Sequence, residues 1–165
     1  MKYLLDANTL IEAKNRYYNM KVCPGFWDWL LLSSISGDIA SISLVFDELK
    51  RGNDELKEWA ILHGDLFLDV ADEPTQQAFA EIAQHVSTEA HKMKVGAMED
   101  FLSGADPWLI AMARASGMSV VTHEAYNPDI KKKFLIPNIC HTFDVPYIDT
   151  FELLLTLEAE FVLAA

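Results

Sequence analysis

A chain of 165 residues with 51% hydrophobic residues can bury one sizeable core, which argues against a disordered protein. Its formal net charge of −12 argues against a general nucleic-acid coat protein, because such proteins carry a surplus of Lys and Arg. No signal peptide is visible, and no apolar run approaches the roughly 20 residues that cross a bilayer. We therefore expect a single domain over residues 1–165 that does not insert into a membrane.

The two cysteines favour a reducing compartment. Cys23 and Cys140 lie far apart and show neither a CxxC spacing nor the ligand spacing of a zinc site. Such isolated cysteines are typical of reduced, buried thiols. We therefore expect a cytoplasmic protein.

Short apolar strands alternate with amphipathic helices along the chain. In the first half, strands are predicted at 2–5, 40–43 and 66–70, and helices at 7–15, 24–36, 44–51, 54–63 and 74–87. A polar segment at 88–104 precedes a helix that begins at Asp106 and is ended by Gly117. Further strands are predicted at 118–122 and 139–142, and a final helix at 150–157.

This alternation predicts an α/β fold with a mostly parallel sheet covered by helices, because parallel strands need crossover connections. Ligands of such sheets bind beyond the carboxyl ends of the strands. Four acids from distant segments fall near strand ends or helix starts, namely Asp6, Glu48, Asp106 and Glu124. Taken singly, each acid has an ordinary explanation: Asp6 and Asp106 as helix caps, Glu48 as a surface residue paired with Arg51, and Glu124 as a loop acid. Their shared placement favours a common site.

The acidic segments resemble the motifs of PIN-domain ribonucleases. The pieces that carry the resemblance are LLDANTLI, VFDEL, GADPWLIAMA and VVTHE, in this order along nearly the whole chain. The resemblance implies a three-layer α/β/α sandwich. It also implies a metal-dependent endoribonuclease that hydrolyses RNA to leave a 5′-phosphate and a 3′-hydroxyl.

The resemblance assigns roles to individual positions. The catalytic and metal-binding acids that it implies are Asp6, Glu48, Asp106 and Glu124, with Asn8 and Thr122 as polar helpers. The last acid is usually Asp in the family, so Glu124 is one methylene longer. Asp47 competes with Glu48 for the second position, since a shift of one residue turns a helical side chain by about 100°.

The chemistry explains the residue types. Hydrolysis of a phosphodiester needs an activated water and relief of the charge that builds on the phosphate. Carboxylate oxygens are the ligands that Mg²⁺ or Mn²⁺ prefers. The basic run of Lys131, Lys132 and Lys133 is a candidate substrate contact, although such runs are commonly only solvated.

Many PIN proteins are toxins of toxin–antitoxin pairs, so the resemblance also implies an antitoxin partner and a homodimer. Two alternatives from other classes stay open. A haloacid-dehalogenase-like phosphatase would need a second Asp where Asn8 stands. A non-catalytic PIN-like module that binds RNA or protein is compatible with the same acids.

Overall fold

The computed structural model describes residues 2–164, so Met1 and Ala165, the ends of the predicted domain, lie outside the described residues. Its sheet is formed by β1 (Tyr3–Leu5), β2 (Ile39–Ile42), β3 (Phe67–Leu68), β4 (Ser119–Val121) and β5 (Tyr147–Ile148). The strand order is β3-β2-β1-β4-β5, and each neighbouring pair is parallel. The predicted α/β class and parallel sheet are thus confirmed.

Helices connect the strands. Within residues 2–164 they are α1 (Ala7–Glu12), α2 (Pro24–Ile35), α3 (Ser43–Arg51), α4 (Glu55–Leu62), α5 (Glu73–Glu89), α6 (Ala97–Ser103), α7 (Asp106–Ser116), α8 (Ile136–Thr142) and α9 (Thr150–Thr156). A π-helical turn at Ala13–Tyr17 extends α1, and short 3₁₀ turns lie at Gly64–Leu66 and Ala90–Lys92. Over the described residues, every helix falls short of the length and apolar character needed to span a membrane.

The hydrophobic core forms where helices pack against the central strands. All four residues of β2 are buried, as expected for an inner strand of a parallel sheet covered on both faces. The helix α7 packs on α5 and also contacts β1, β2 and β4. Because crossover connections are right-handed, we expect the helices that connect β1 to β3 and those that connect β3 to β5 to cover opposite faces.

The strand order of the sheet reverses between the neighbours β1 and β4. Strands β2 and β3 are added on one side of β1, and β4 and β5 are added on its other side. Leu5 of β1 pairs with Val121 of β4, so both strands end at the same level. A crevice opens at such a reversal beyond the carboxyl ends of the strands. The side chains that follow Leu5 and Val121 therefore line the place where α/β proteins bind ligands.

The predicted strand at 139–142 is wrong, because these residues belong to α8. A short apolar run fits a buried helix as well as a strand, and Pro137 in the first turn of α8 is the signal that favours the helix. The fifth strand is instead Tyr147–Ile148, which pairs with Val120 and Val121. The polar segment 88–104 also contains α6, whose residues Ala97 and Phe101 are buried.

The end of α7 offers a test of this fold. Gly117 follows α7 with a φ of 73°, in the left-handed region, and no atom lies within 4 Å of a Cβ built there. Gly64 has equal space but no positive φ. We expect Gly117→Ala to lower the free energy of unfolding by about 1–2 kcal/mol, since only backbone strain is added.

The matched control is Gly64→Ala, which should be neutral or slightly stabilising because alanine restricts the unfolded chain. Urea denaturation of the two variants measures the difference. Equal unfolding free energies would contradict the left-handed turn between α7 and β4.

Candidate active site

Asp6 is the buried carboxylate at the end of β1, with only 2% of the residue exposed. Its Oδ1 accepts a hydrogen bond from the Thr9 backbone N–H at 2.6 Å and so caps α1. Its Oδ2 accepts one from the Thr122 hydroxyl at 2.7 Å. Burial raises the pKa of Asp6, whereas both hydrogen bonds lower it. The same side chain therefore caps a helix and joins the ends of β1 and β4.

Glu48 reaches the start of α7. Its Oε1 accepts a hydrogen bond from the Ala105 backbone N–H at 3.1 Å, directly before Asp106. Asp47, the competing candidate, forms an ion pair with Lys50 at 3.0 Å and has a side chain that is 57% exposed. The structure thus places Glu48, and not its neighbour, beside the third acid.

Glu124 extends from the end of β4 to the start of α8. Its Oε2 accepts a hydrogen bond from the Ile136 backbone N–H at 2.8 Å, and its Oε1 lies 3.1 Å from the Lys133 Nζ. Its backbone N–H donates to the Thr122 hydroxyl at 3.2 Å. The extra methylene lets this acid span the gap to α8, and Thr122 links it to Asp6.

Asp106 lies in the first turn of α7, and its pKa is raised to about 7. Burial is the largest cause, and the negative charges of Asp6, Glu124 and Glu48 add to it. The positive charge of Lys133 acts in the opposite direction. The other three acids are therefore close enough to Asp106 for their charges to act on it.

The other candidate site residues, Asn8 and the lysine run, differ in whether they contact the acids. Asn8 is exposed in the first turn of α1, one residue after the buried start of that helix. Lys131 and Lys132 are exposed, and Lys133 alone of this run contacts an acid of the cluster. Of the two predicted polar helpers, Thr122 contacts the acids and Asn8 forms no hydrogen bond with them within residues 2–164. The contact of Lys133 with Glu124 was not predicted.

Three further contacts of the site were not predicted. Buried Thr9 donates its hydroxyl to the Val121 carbonyl at 3.1 Å, so it too joins α1 to β4. Its position three residues after the cap was an available signal. The backbone amides of Ala105 and Ile136 hold Glu48 and Glu124. A proline at the second residue of each helix, Pro107 in α7 and Pro137 in α8, marks both helix starts.

The donor set is chemically suited to a hard cation, although the side chains are not gathered around one point. Within residues 2–164, no three His, Cys, Asp or Glu side chains are placed to hold one metal ion together. Asp6, Glu48 and Glu124 each turn one oxygen to a backbone amide instead. Carboxylate oxygens suit Mg²⁺ or Mn²⁺, and a cation relieves the repulsion that raises the pKa of Asp106.

Solved structures of similar fold come from bacterial toxin–antitoxin systems. A chain of VapBC2 from Rickettsia felis, bound to a DNA fragment from its promoter, has a TM-score of 0.52 at 16% identity, over 90% of this chain and 98% of that chain. A chain of FitAcB from Neisseria gonorrhoeae has a TM-score of 0.51 at 20% identity, over 88% of this chain and 96% of that chain. A chain of VapBC-1 from nontypeable Haemophilus influenzae has a TM-score of 0.52 at 14% identity, over 90% of this chain and 98% of that chain. At these identities the likeness concerns the fold, and it confirms the fold implied by the PIN-domain resemblance.

Comparison of the sequence itself gives one family. A search of curated proteins found no match to this chain. The model of a domain of unknown function, DUF4411, matches residues 3–161. This match spans nearly the whole chain, so the protein belongs to the DUF4411 family.

Proposed function

We propose that this protein is a metal-dependent endoribonuclease that hydrolyses RNA phosphodiester bonds. The observation that carries the proposal is the placement of the acids: Thr122 joins Asp6 at the end of β1 to the Glu124 backbone, and Glu48 accepts the amide directly before Asp106. Burial and the other three carboxylates raise the pKa of Asp106 to about 7. Keeping four acids together has a cost in stability, and such clusters are typical of functional sites. A divalent cation is the partner that makes this arrangement favourable.

The acids divide into two kinds in this proposal. Asp6 and Asp106 are the principal ligands of Mg²⁺ or Mn²⁺, because both are largely buried and the charge of Asp6 acts on Asp106. Glu48 and Glu124 are adjustable ligands that can exchange a backbone amide for the cation. When bound, the ion supplies activation of water and neutralises charge on the attacked phosphate.

The chain supplies orientation and substrate charge neutralisation. Thr122 fixes Asp6 through its hydroxyl, and Asn8 is free at the exposed rim to position water. The lysine run at 131–133 provides cations at the edge of the cluster, beside Glu124. The products expected from this hydrolysis are a 5′-phosphate and a 3′-hydroxyl.

We further propose that the protein is the toxin of a toxin–antitoxin pair. The support is that similar folds occur in the VapBC2, VapBC-1 and FitAcB structures. In this role the protein forms a homodimer and is held inactive by an antitoxin. A gene for a small antitoxin next to the coding gene is the observation that tests this role.

A second candidate is a non-catalytic PIN-like module that binds RNA or a protein. One observation favours it: over residues 2–164 no three acids are positioned to hold a single ion. The two candidates differ in cleavage. Tight RNA binding without metal-dependent hydrolysis would favour the module.

The first functional prediction concerns the two principal acids. With Mg²⁺ or Mn²⁺ the wild type should cleave RNA, and a chelator should stop cleavage. Asp6→Asn and Asp106→Asn should each reduce kcat/KM by about two orders of magnitude or more, and the double variant should lose little more, since both break one metal site. Gel assays of labelled RNA measure these rates.

The matched control is Asp47→Asn. This carboxylate stands next to Glu48 in sequence but is exposed and paired with Lys50. It should retain wild-type cleavage. Equal losses in Asp47→Asn and Asp6→Asn, or full activity of Asp6→Asn, would contradict the assignment.

The second prediction concerns pH and stability without metal. The folded pKa of Asp106 is about 7 against an ordinary value of 3.8, so the folded state holds a proton that the unfolded state lacks in that window. Stability from this proton is complete below pH 4 and is lost as the pH rises through 7. In the presence of a chelator, Asp106→Asn should therefore melt several degrees above the wild type at pH 8 and close to it at pH 4.

Thermal melts at the two pH values measure the difference, with Asp100→Asn as control because that acid is exposed on α6. A gap between Asp106→Asn and wild type that is the same at both pH values would contradict the crowding of the site.

A further inference from the structure

A cavity of about 310 Å³ opens next to Lys133, and none of the four acids is among its lining residues. It lies between the end of α5, the loop from β4 to α8, and α8 itself. Lys133 lines it and at the same time contacts the Glu124 carboxylate at 3.1 Å. One side chain thus joins the cavity to the site where we place cleavage. The volume lies in the lower range of small-molecule sites.

A lysine face surrounds the mouth of this cavity. We use this name for the lysines that line the cavity and an adjoining depression, namely Lys92, Lys94, Lys131, Lys132 and Lys133. They are five of the 13 Lys and Arg residues in a chain of net charge −12. The rest of the molecule repels a polyanion, so this face gives a polyanion a specific place to dock.

The lysine face is only partly neutralised. Lys92 pairs with Glu89 at 2.8 Å, and Lys133 pairs with Glu124. Lys94, Lys131 and Lys132 form no ion pair with the residues that the structure describes. Three cations are therefore available for phosphates without breaking a pair.

The cavity also presents aromatic rings. Tyr126 stacks on His141 with ring centroids 5.0 Å apart and planes 27° apart, and both rings line the cavity. Tyr126 is 45% exposed, so part of its ring area is open to a ligand. Flat rings beside cations are the arrangement that single-stranded nucleic-acid sites use to stack bases and hold backbones.

The loop that carries Tyr126 is fixed to α8. The backbone N–H of Asn127 donates to the Asn138 side-chain oxygen at 3.0 Å, and the Asn138 amide donates to the Asn127 carbonyl at 2.7 Å. Apolar walls come from Phe134 and Ile139. The cavity is therefore formed before a ligand arrives, which lowers the entropy lost on binding.

We propose that this cavity binds one nucleotide of single-stranded RNA next to the scissile phosphate. The base stacks on the Tyr126 and His141 pair, and its phosphate contacts Lys131 and Lys133. The rest of the lysine face guides the flanking backbone. The inference rests on the proposed ribonuclease function for the reaction, and it adds where the strand lies and how a base is selected.

Stacked rings in a preformed cavity favour a nucleotide over an acidic peptide of a protein partner. An acidic peptide would use the lysines but would gain little from the rings. Removing a ring and removing a charge should therefore both weaken RNA binding if a nucleotide enters. Removing the ring alone would have no effect if only charge matters.

The experiment measures binding of a short fluorescein-labelled single-stranded RNA to the full chain by anisotropy, in a chelator that keeps cleavage off. We expect Tyr126→Ala to raise Kd by about tenfold, as for loss of one stacked base. Lys131→Gln should raise Kd several-fold and reduce the slope of log Kd against log salt by about one.

Matched controls are Tyr17→Ala and Lys21→Gln. Tyr17 is 49% exposed, similar to Tyr126, but its ring packs on His123 and Phe151 outside the cavity. Lys21 is exposed and outside the lysine face. Both controls should bind RNA like the wild type, and circular dichroism melts confirm that all four variants fold.

A second arm maps cleavage positions by sequencing in Mg²⁺ or Mn²⁺. Tyr126→Ala should flatten the base preference beside the cleaved bond and raise KM more than it lowers kcat. If both variants cleave RNA and bind it as tightly as the wild type, the nucleotide pocket is wrong and the proposed reaction stands. Wild-type binding with the expected variant losses but no cleavage would overturn the reaction and keep the pocket as an RNA site. Absence of RNA binding by the wild type, or equal losses in the controls, would overturn the pocket.

Discussion

The hydrogen bond from the Thr122 hydroxyl to Asp6 holds together the parts of the molecule on which the site depends. It joins residues 116 positions apart, at the ends of the two strands where the sheet order reverses. The Thr122 oxygen also accepts the backbone N–H of Glu124. A buried carboxylate needs such partners, because without them the loss of hydration would make the folded chain much less stable.

The same logic extends to the other acids. Asp6 accepts an amide at the start of α1, Glu48 at the start of α7 and Glu124 at the start of α8. Helix starts carry partial positive charge, which offsets part of the repulsion among carboxylates. Helix capping and assembly of the acid cluster are therefore achieved by the same contacts. This explains why Asp6 can be taken for an ordinary helix cap when it is considered alone.

Much of this arrangement could be predicted from signals in neighbouring residues, whereas contacts between distant parts of the chain could not. Asp6 after a strand, Asp106 before a proline and Gly117 as a helix end each follow from neighbouring residues. The choice between Asp47 and Glu48 could not be made in this way, because it depends on contact with Ala105, 57 positions away. The strand predicted at 139–142 is wrong for a related reason: burial made the run apolar, while Pro137 set its helical geometry.

The two edges of the sheet are its shortest strands. Phe67–Leu68 and Tyr147–Ile148 each contain two residues, so each edge offers very few unpaired backbone groups to another strand. Natural proteins shorten edge strands in this way to prevent sheets of separate molecules from joining. Two copies of this chain therefore have little opportunity to form a continuous sheet, and their association has to use helix faces and side-chain packing.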